Sequence, residues 1–243
     1  MKILGYIPAR IGSKGIKRKN LAKLNGKPLI YYTVKFAKKM KPSIYPFVST
    51  DSRKILNYTN SLLKEKNNYI RPKSLSTDKS KHADGLLHAI KWLKVKKKLE
   101  FDAVMLLQPT SPIREISEMR SAINAFKKSK TESLLGVRLV KEHPSEMIKY
   151  SKSQWGFLIK HNFKLEGRQN YKRNFYKIDG SLYICKVNFI KKNKLFFREN
   201  NSTLFVLKNK KLIDIDSNLD LKVAENLLKS KRWQLSFSRM KRF

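Results

Sequence analysis

The stretch Ala9-Arg10-Ile11-Gly12-Ser13-Lys14-Gly15-Ile16-Lys17-Arg18-Lys19-Asn20 gathers five cations and two glycines into twelve residues. Glycine lets a backbone approach an anion closely and turn several N–H groups toward it. The cations add long-range attraction and neutralise charge. A triphosphate needs this combination. The spacing is not Gly-x4-Gly-Lys-Ser/Thr. It is not Gly-x-Gly-x-x-Gly either, because Gly12 and Gly15 lack a third member. The plainer reading is a solvated basic turn, and residue types alone leave both open.

A loop of this kind must be held by something. Ile3 to Pro8 is an apolar run of strand length that leads into it. Leu29 to Met40 reads as a helix with Ile30, Val34 and Ala37 on one face. Tyr45 to Ser49 is a second strand, and Ser52 is the expected N-cap of a helix to about Lys66. Tyr69-Ile70 is expected to be a short strand ending at Arg71-Pro72. A helix runs from about His82 to Lys97, and His82 itself reads as a helix-start residue. Ala103 to Leu107 fits a fully buried central strand. Ile116 to Lys128 is a helix, and Ser133 to Val140 a strand. Ser181 to Lys186, Leu204 to Leu207 and Leu212 to Ile215 are further strands before a last helix from Asn218 to about Lys229.

Alternation of strand and helix over the first 140 residues predicts an α/β fold, a mostly parallel central sheet flanked by helices. The less regular stretch from about 141 to 205 reads as an insertion or lid on one domain spanning 1–243. In such sheets ligands bind beyond the carboxyl ends of the strands. Loops 9–20, 71–81 and 108–114 each follow a predicted strand, so all three are expected to open onto one crevice.

Composition narrows the class. In 243 residues, 41% are hydrophobic and 11% aromatic, which is globular rather than disordered. Cys185 is the only cysteine, so neither an intrachain disulfide nor a Cys-based zinc site can form. The N-terminal apolar run is too short for a signal peptide, and no run reaches the roughly 18 apolar residues of a membrane span. A soluble cytoplasmic protein is expected, with no membrane partner. The formal charge of +37 admits a polyanion partner or compositional drift. Lysine is spread along the chain in short runs, and aromatics do not interleave with it as a base-stacking platform requires. Drift is the reading adopted, and a nucleic-acid partner is not expected.

Several blocks together carry a resemblance. Ile7-Pro8-Ala9-Arg10-x-Gly12-Ser13-Lys14-Gly15 with Lys19-Asn20 is followed by Gly26-Lys27-Pro28-Leu29 and Ser49-Thr50-Asp51. Then come Arg71-Pro72 with Leu75 and Asp78, Leu106 through Arg114, and Ile213-Asp214-Ile215-Asp216 with Leu219-Asp220-Leu221. In this order they resemble the acylneuraminate cytidylyltransferases, the CMP-sialic acid synthetases and their relatives for sialic-acid-like nonulosonates. The resemblance implies a Rossmann-like nucleotidyltransferase that transfers CMP from CTP to the anomeric hydroxyl of a nine-carbon 2-keto acid sugar. It also implies Mg2+ as cofactor and a homodimer, with the 141–205 region contacting the partner.

The site residues follow from the same resemblance. Arg10, Ser13, Lys14, Lys19 and Asn20 should hold CTP, with Lys14 or Lys19 nearest the charge that builds at the α-phosphate. Arg10, Lys14 and Lys19 are thus the catalytic candidates, since preorganised charge is the main device of phosphoryl-type transfer. Arg71, with Ser80 as helper, should read the base. Gln108, Arg168, Asp179, Tyr183, Phe196 and Phe197 are the sugar-side candidates. Lys79-Ser80-Lys81-His82 departs from the family's Ser-rich form, and Asp179 stands where the family has Asn. Thr110 and Ser111 divide between a substrate role and a rigid turn that caps the next helix. Asp214 and Asp216 are the metal candidates. On a strand, alternation places both on one face while Ile213 and Ile215 face the core. Asp220 reads as a helix N-terminal acid. A Kdo-type acid or a hexose phosphate with another nucleotide is the nearest alternative chemistry. A nucleic-acid binder on a degenerate scaffold is the distant one.

Overall fold

A computed structural model describes the backbone except at residues 14, 141, 152, 160–173, 210, 212 and 241–243, and the side chains of that set except 230–240. In chain order the first elements are β1 (Ile3–Pro8), β2 (Lys23–Leu24), β3 (Lys27–Pro28), α1 (Leu29–Lys39) and β4 (Tyr45–Ser49). They are followed by α2 (Arg53–Leu63), α3 (His82–Lys97), β5 (Ala103–Leu106), α4 (Ile116–Lys128) and β6 (Ser133–Leu139). The remainder is β7 (Ile148–Ser151), β8 (Gln154–Phe157), β9 (Tyr176–Lys186), α5 (Val187–Asn193), β10 (Ser202–Val206) and α6 (Asn218–Met240).

The main sheet has the order β10-β6-β9-β5-β1-β4. β1 pairs in parallel with β4 and β5, and β10 pairs in parallel with β6. All six residues of β1 and all four of β5 are buried, because both faces of this sheet are covered. On one face Ile3 and Ile7 of β1 join Val34, Ala37, Met105 and Ile123. On the other Leu4 and Tyr6 join Phe47, Leu86, Val104 and Ile190. Period-two alternation along β1 therefore feeds two cores, one under α1 and α4 and one under α3 and α5.

Three expectations need correction. Tyr69-Ile70 forms no strand. Tyr69 is buried as core, and Arg71 N–H bonds the Thr50 carbonyl at 2.8 Å, so the segment is tied to the end of β4 without extending the sheet. Residues 213–216 are not a strand either. Ile215 N–H bonds the Thr110 carbonyl at 2.8 Å, a single anchor instead of a ladder. The 141–205 stretch is more than a lid. It contributes the β7–β8 hairpin and, in β9, an antiparallel strand between β5 and β6 in the middle of the sheet.

Candidate active site

Segments 9–20, 71–82 and 108–110 do converge, although the second follows α2 and not a strand. One cavity of about 300 Å³ is lined by Arg10, Gly12, Ser13, Lys19 and Asn20 from the first, by Arg71, Asp78, Ser80, Lys81 and His82 from the second, and by Gln108, Pro109 and Thr110 from the third. Asp216 completes the wall from the far end of the chain.

The first loop is built by its own side chains. Ser13 Oγ donates to the Ile16 carbonyl and accepts from Lys19 N–H at 3.0 Å. Asn20 Nδ2 donates to the Arg10 carbonyl at 2.7 Å, and Asp51 Oδ1 accepts from Ile11 N–H at 2.8 Å. Ser13 and Asn20 thus shape the cradle, and Asp51 pins it to the end of β4. Arg10 pairs with Asp78 at 2.5 Å. Lys19 Nζ donates to the Ile215 carbonyl at 2.9 Å and to Asp216 Oδ1 at 2.8 Å. A Cβ on Gly15 would collide with the Asp216 carbonyl oxygen, so only glycine lets the loop and the 213–216 segment pass this close. Lys14 lies outside the described residues.

The 213–216 segment presents its carboxylates outward although it is not a strand. Ile215 is buried, and Asp214 and Asp216 are exposed. Ser217 caps α6. Its Oγ accepts Asp220 N–H at 3.2 Å, while Asp220 Oδ2 accepts from Ser217 N–H at 2.8 Å, Ser217 Oγ at 2.8 Å and Asp216 N–H at 3.0 Å. This is a capping box with aspartate at its third position. The Ser217 hydroxyl and the Ser217 and Asp216 N–H groups hold the Asp220 carboxyl below its usual range. Asp216 lines the cavity, whereas Asp214 is not in its wall and directs Oδ2 toward Gly180. Both are exposed hard-oxygen donors, the ligand type that Mg2+ takes together with phosphate oxygens and water. Among the described residues no group of three or more His, Cys, Asp or Glu could hold a metal.

A second cavity of about 360 Å³ adjoins the first. It shares Lys81, His82 and Gln108 with it, and adds Tyr183, Lys194, Phe196 and Phe197. Tyr183 stacks on Phe197 with centroids 6.0 Å apart and planes 16° apart. Gln108 stands at the border, its Nε2 donating to the Gly180 carbonyl at 3.4 Å. Asp179 is in neither wall. It is buried, pairs with Arg138 at 2.6 Å and accepts Ser181 N–H at 2.9 Å. Arg168 lies outside the described residues. Desolvation by its neighbours, then the charges of Arg71 and Arg10, lower the His82 pKa.

Sequence reasoning missed Arg114. It is buried, and it donates from Nη2 to the Gln108 carbonyl at 2.9 Å, from Nε to the Ser181 carbonyl at 3.0 Å and from Nη1 to Thr33 Oγ1 at 3.3 Å. Burial pushes its pKa down to about 10, against the attraction of Asp179 and Asp214. Thr110 and Ser111 do not cap α4. The N-cap position is Glu115, with no side-chain cap bond, and the turn is tied instead by Ser111 N–H to the Gln108 carbonyl at 3.2 Å.

Comparison with known proteins follows the same line. A family model described as Cytidylyltransferase matches residues 4–174. The chain is 33% identical over 236 residues to the CMP-N,N'-diacetyllegionaminic acid synthase of Legionella pneumophila subsp. pneumophila, covering 94% of this chain and 97% of that one. It is 29% identical over 244 residues to post-translational flagellin modification protein B of Campylobacter coli, covering 96% and 97%. Among solved structures, a CMP:2-keto-3-deoxy-manno-octonic acid synthetase complexed with CTP superposes with a TM-score of 0.69 at 15% identity, over 95% of this chain and 100% of that one.

Proposed function

The chain belongs to the cytidylyltransferase family, and we propose that it transfers CMP from CTP to the anomeric C2 hydroxyl of a sialic-acid-like nonulosonic acid, releasing pyrophosphate. The observation that carries this reading is the meeting of Lys19 and Asp216 in one cavity walled by segments 9–20, 71–82 and 108–110.

In this reading the cradle of Arg10, Ser13, Lys14, Lys19 and Asn20 receives the triphosphate. Lys19 is held by the Ile215 carbonyl and Asp216, so its charge is in place before the reaction needs it. Charge preorganised in this way is worth more than charge that must be recruited. Arg71 and Ser80 face the base end. The acceptor occupies the adjoining cavity, where Gln108 supplies polar contacts and the stacked Tyr183 and Phe197 supply an apolar wall. Gln108 borders both spaces, so a sugar hydroxyl there can attack the α-phosphorus in line with the departing pyrophosphate. Asp214 and Asp216 would hold Mg2+, which neutralises phosphate charge and lowers the pKa of a coordinated hydroxyl.

The proposal includes a homodimer. Ile148, Tyr150 and Trp155 of the β7–β8 hairpin are 58%, 70% and 64% exposed, an apolar surface suited to a second copy of the chain. Kdo as acceptor is the competing chemistry. The 15% identity to the octonic acid synthetase carries the fold and not the acceptor.

The test is pyrophosphate release with CTP and Mg2+ across N-acetylneuraminic, legionaminic and pseudaminic acids and Kdo. Turnover with one of the three nonulosonates, and a CMP-sugar product, is the expected result. Turnover with Kdo alone, or with a hexose phosphate, would replace the acceptor assignment.

A further inference from the structure

Resting on the CTP reading above, we propose that Tyr6 is a positioning residue of the nucleotide site: its phenol, admitted by Gly85, backs the Arg71 guanidinium and sets its direction into the cavity.

Two local choices here run against stability. Tyr6 is wholly buried in the apolar β1, where its hydroxyl meets the side chains of Ser49 and Arg71. Burying a hydroxyl costs desolvation, and an aliphatic or phenyl side chain would fill the same face without that cost. Gly85 sits inside α3, where alanine would favour the helix. The two choices meet at one point. A Cβ on Gly85 would lie 3.2 Å from Tyr6 Oη, 3.4 Å from Arg71 Cδ and 3.6 Å from Arg71 Nη1. A methyl there would press on the phenol oxygen and pack against the guanidinium, so Gly85 relieves crowding where the two meet.

Arg71 is 5% exposed and lines the cavity, and its Nε and Nη2 have no partner among the described residues. Its backbone is fixed by the bond to the Thr50 carbonyl, so the side chain is the part left to orient. Ser49 is also buried. The β1–β4 register pairs Tyr6 with Phe47 and Pro8 with Ser49, which puts Ser49 on the same face as Tyr6, the α3 side. A guanidinium only donates, whereas a phenol both accepts and donates. Tyr6 Oη is thus matched to accept from Arg71 and donate to Ser49 Oγ, the two side chains it meets. Burial raises the Tyr6 pKa, and the opposing charge of Arg71 is the smaller effect, so the phenol keeps its proton.

The experiment uses the full chain and steady-state pyrophosphate release, with thermal melting and calorimetric CTP binding alongside. Tyr6→Phe should raise KM for CTP about 10-fold or more, the loss of one charge-assisted hydrogen bond. The acceptor KM should not move, kcat should stay within about twofold, and the melting temperature should be equal or higher. Gly85→Ala should raise the CTP KM as well, and Tyr6→Phe/Gly85→Ala should be no worse than the worse single variant. Tyr6→Phe with an unchanged CTP KM, or with equal changes in both KM values, would overturn the assignment of Tyr6 alone. A wild-type chain that binds no CTP would overturn the nucleotide reading, and this assignment with it.

Discussion

Lys19 Nζ lies 2.8 Å from Asp216 Oδ1, across 197 positions of sequence. The lysine is mostly buried, at 13% side-chain exposure, and the aspartate is open, at 78%. A cation held from behind, beside an exposed carboxylate whose second oxygen is open, suits the triphosphate site proposed above.

The position of Asp216 depends on the α6 cap. Ser217→Ala should cost about 1 kcal/mol and lower kcat/KM for CTP as well, because the same box holds Asp216 N–H. Calorimetry and initial rates check both. Asp220→Asn adds a pH test. The folded pKa of Asp220 lies below its ordinary 3.8, so its contribution is full at neutral pH and is lost as pH falls through 3.8 and below. The melting difference between wild type and Asp220→Asn should be present at pH 7 and vanish in acid. A difference that grows toward low pH would have the wrong sign.

Arg114 should matter twice. Arg114→Met leaves the Gln108 and Ser181 carbonyls without their donor and should cost about 3 kcal/mol, roughly 6–12 °C in melting temperature for a chain of this size. Arg114→Lys keeps a charge but not the three-way fork. It should raise the KM of both substrates, because Gln108 borders both cavities. A lower melting temperature with both KM values unchanged would reduce Arg114 to a core residue.

Cys185 is fully buried, and burial pushes its thiol up, well away from the thiolate. A thiol reagent should label the native chain slowly and the unfolded chain at once. Fast labelling without unfolding would mean that β9 opens independently.

How much of this the sequence carried depends on how local the signal was. The crevice under loops 9–20 and 108–114 was legible because α/β topology puts the ends of parallel strands on one side. Loop 71–81 reaches it without its expected strand, through the bond of Arg71 N–H to the Thr50 carbonyl at the end of β4. Asp220 was legible as a helix N-terminal acid; the capping box it forms with Ser217 is what the structure adds. The pairing of Lys19 with Asp216 had no local signal, and only the resemblance across the whole chain brought them together. The strand expected at 213–216 failed because alternation records exposure and not pairing. Ile215 is buried and its neighbours are exposed, but no partner strand lies alongside. The antiparallel entry of β9 was hidden for the same reason, since a strand's direction is set by its neighbours. Arg114, in a polar Pro-containing loop, reads as a surface residue. Its burial follows from the three oxygens that surround it.

Initial rates of pyrophosphate release for Lys19→Met and Asp216→Asn, with CTP and the accepted nonulosonate saturating, test the shared site most directly. Each should fall about 100-fold or more with a melting temperature close to wild type, and the Asp216→Asn rate should lose its dependence on added Mg2+. Wild-type turnover in either variant would contradict a site in which both residues act on one nucleotide.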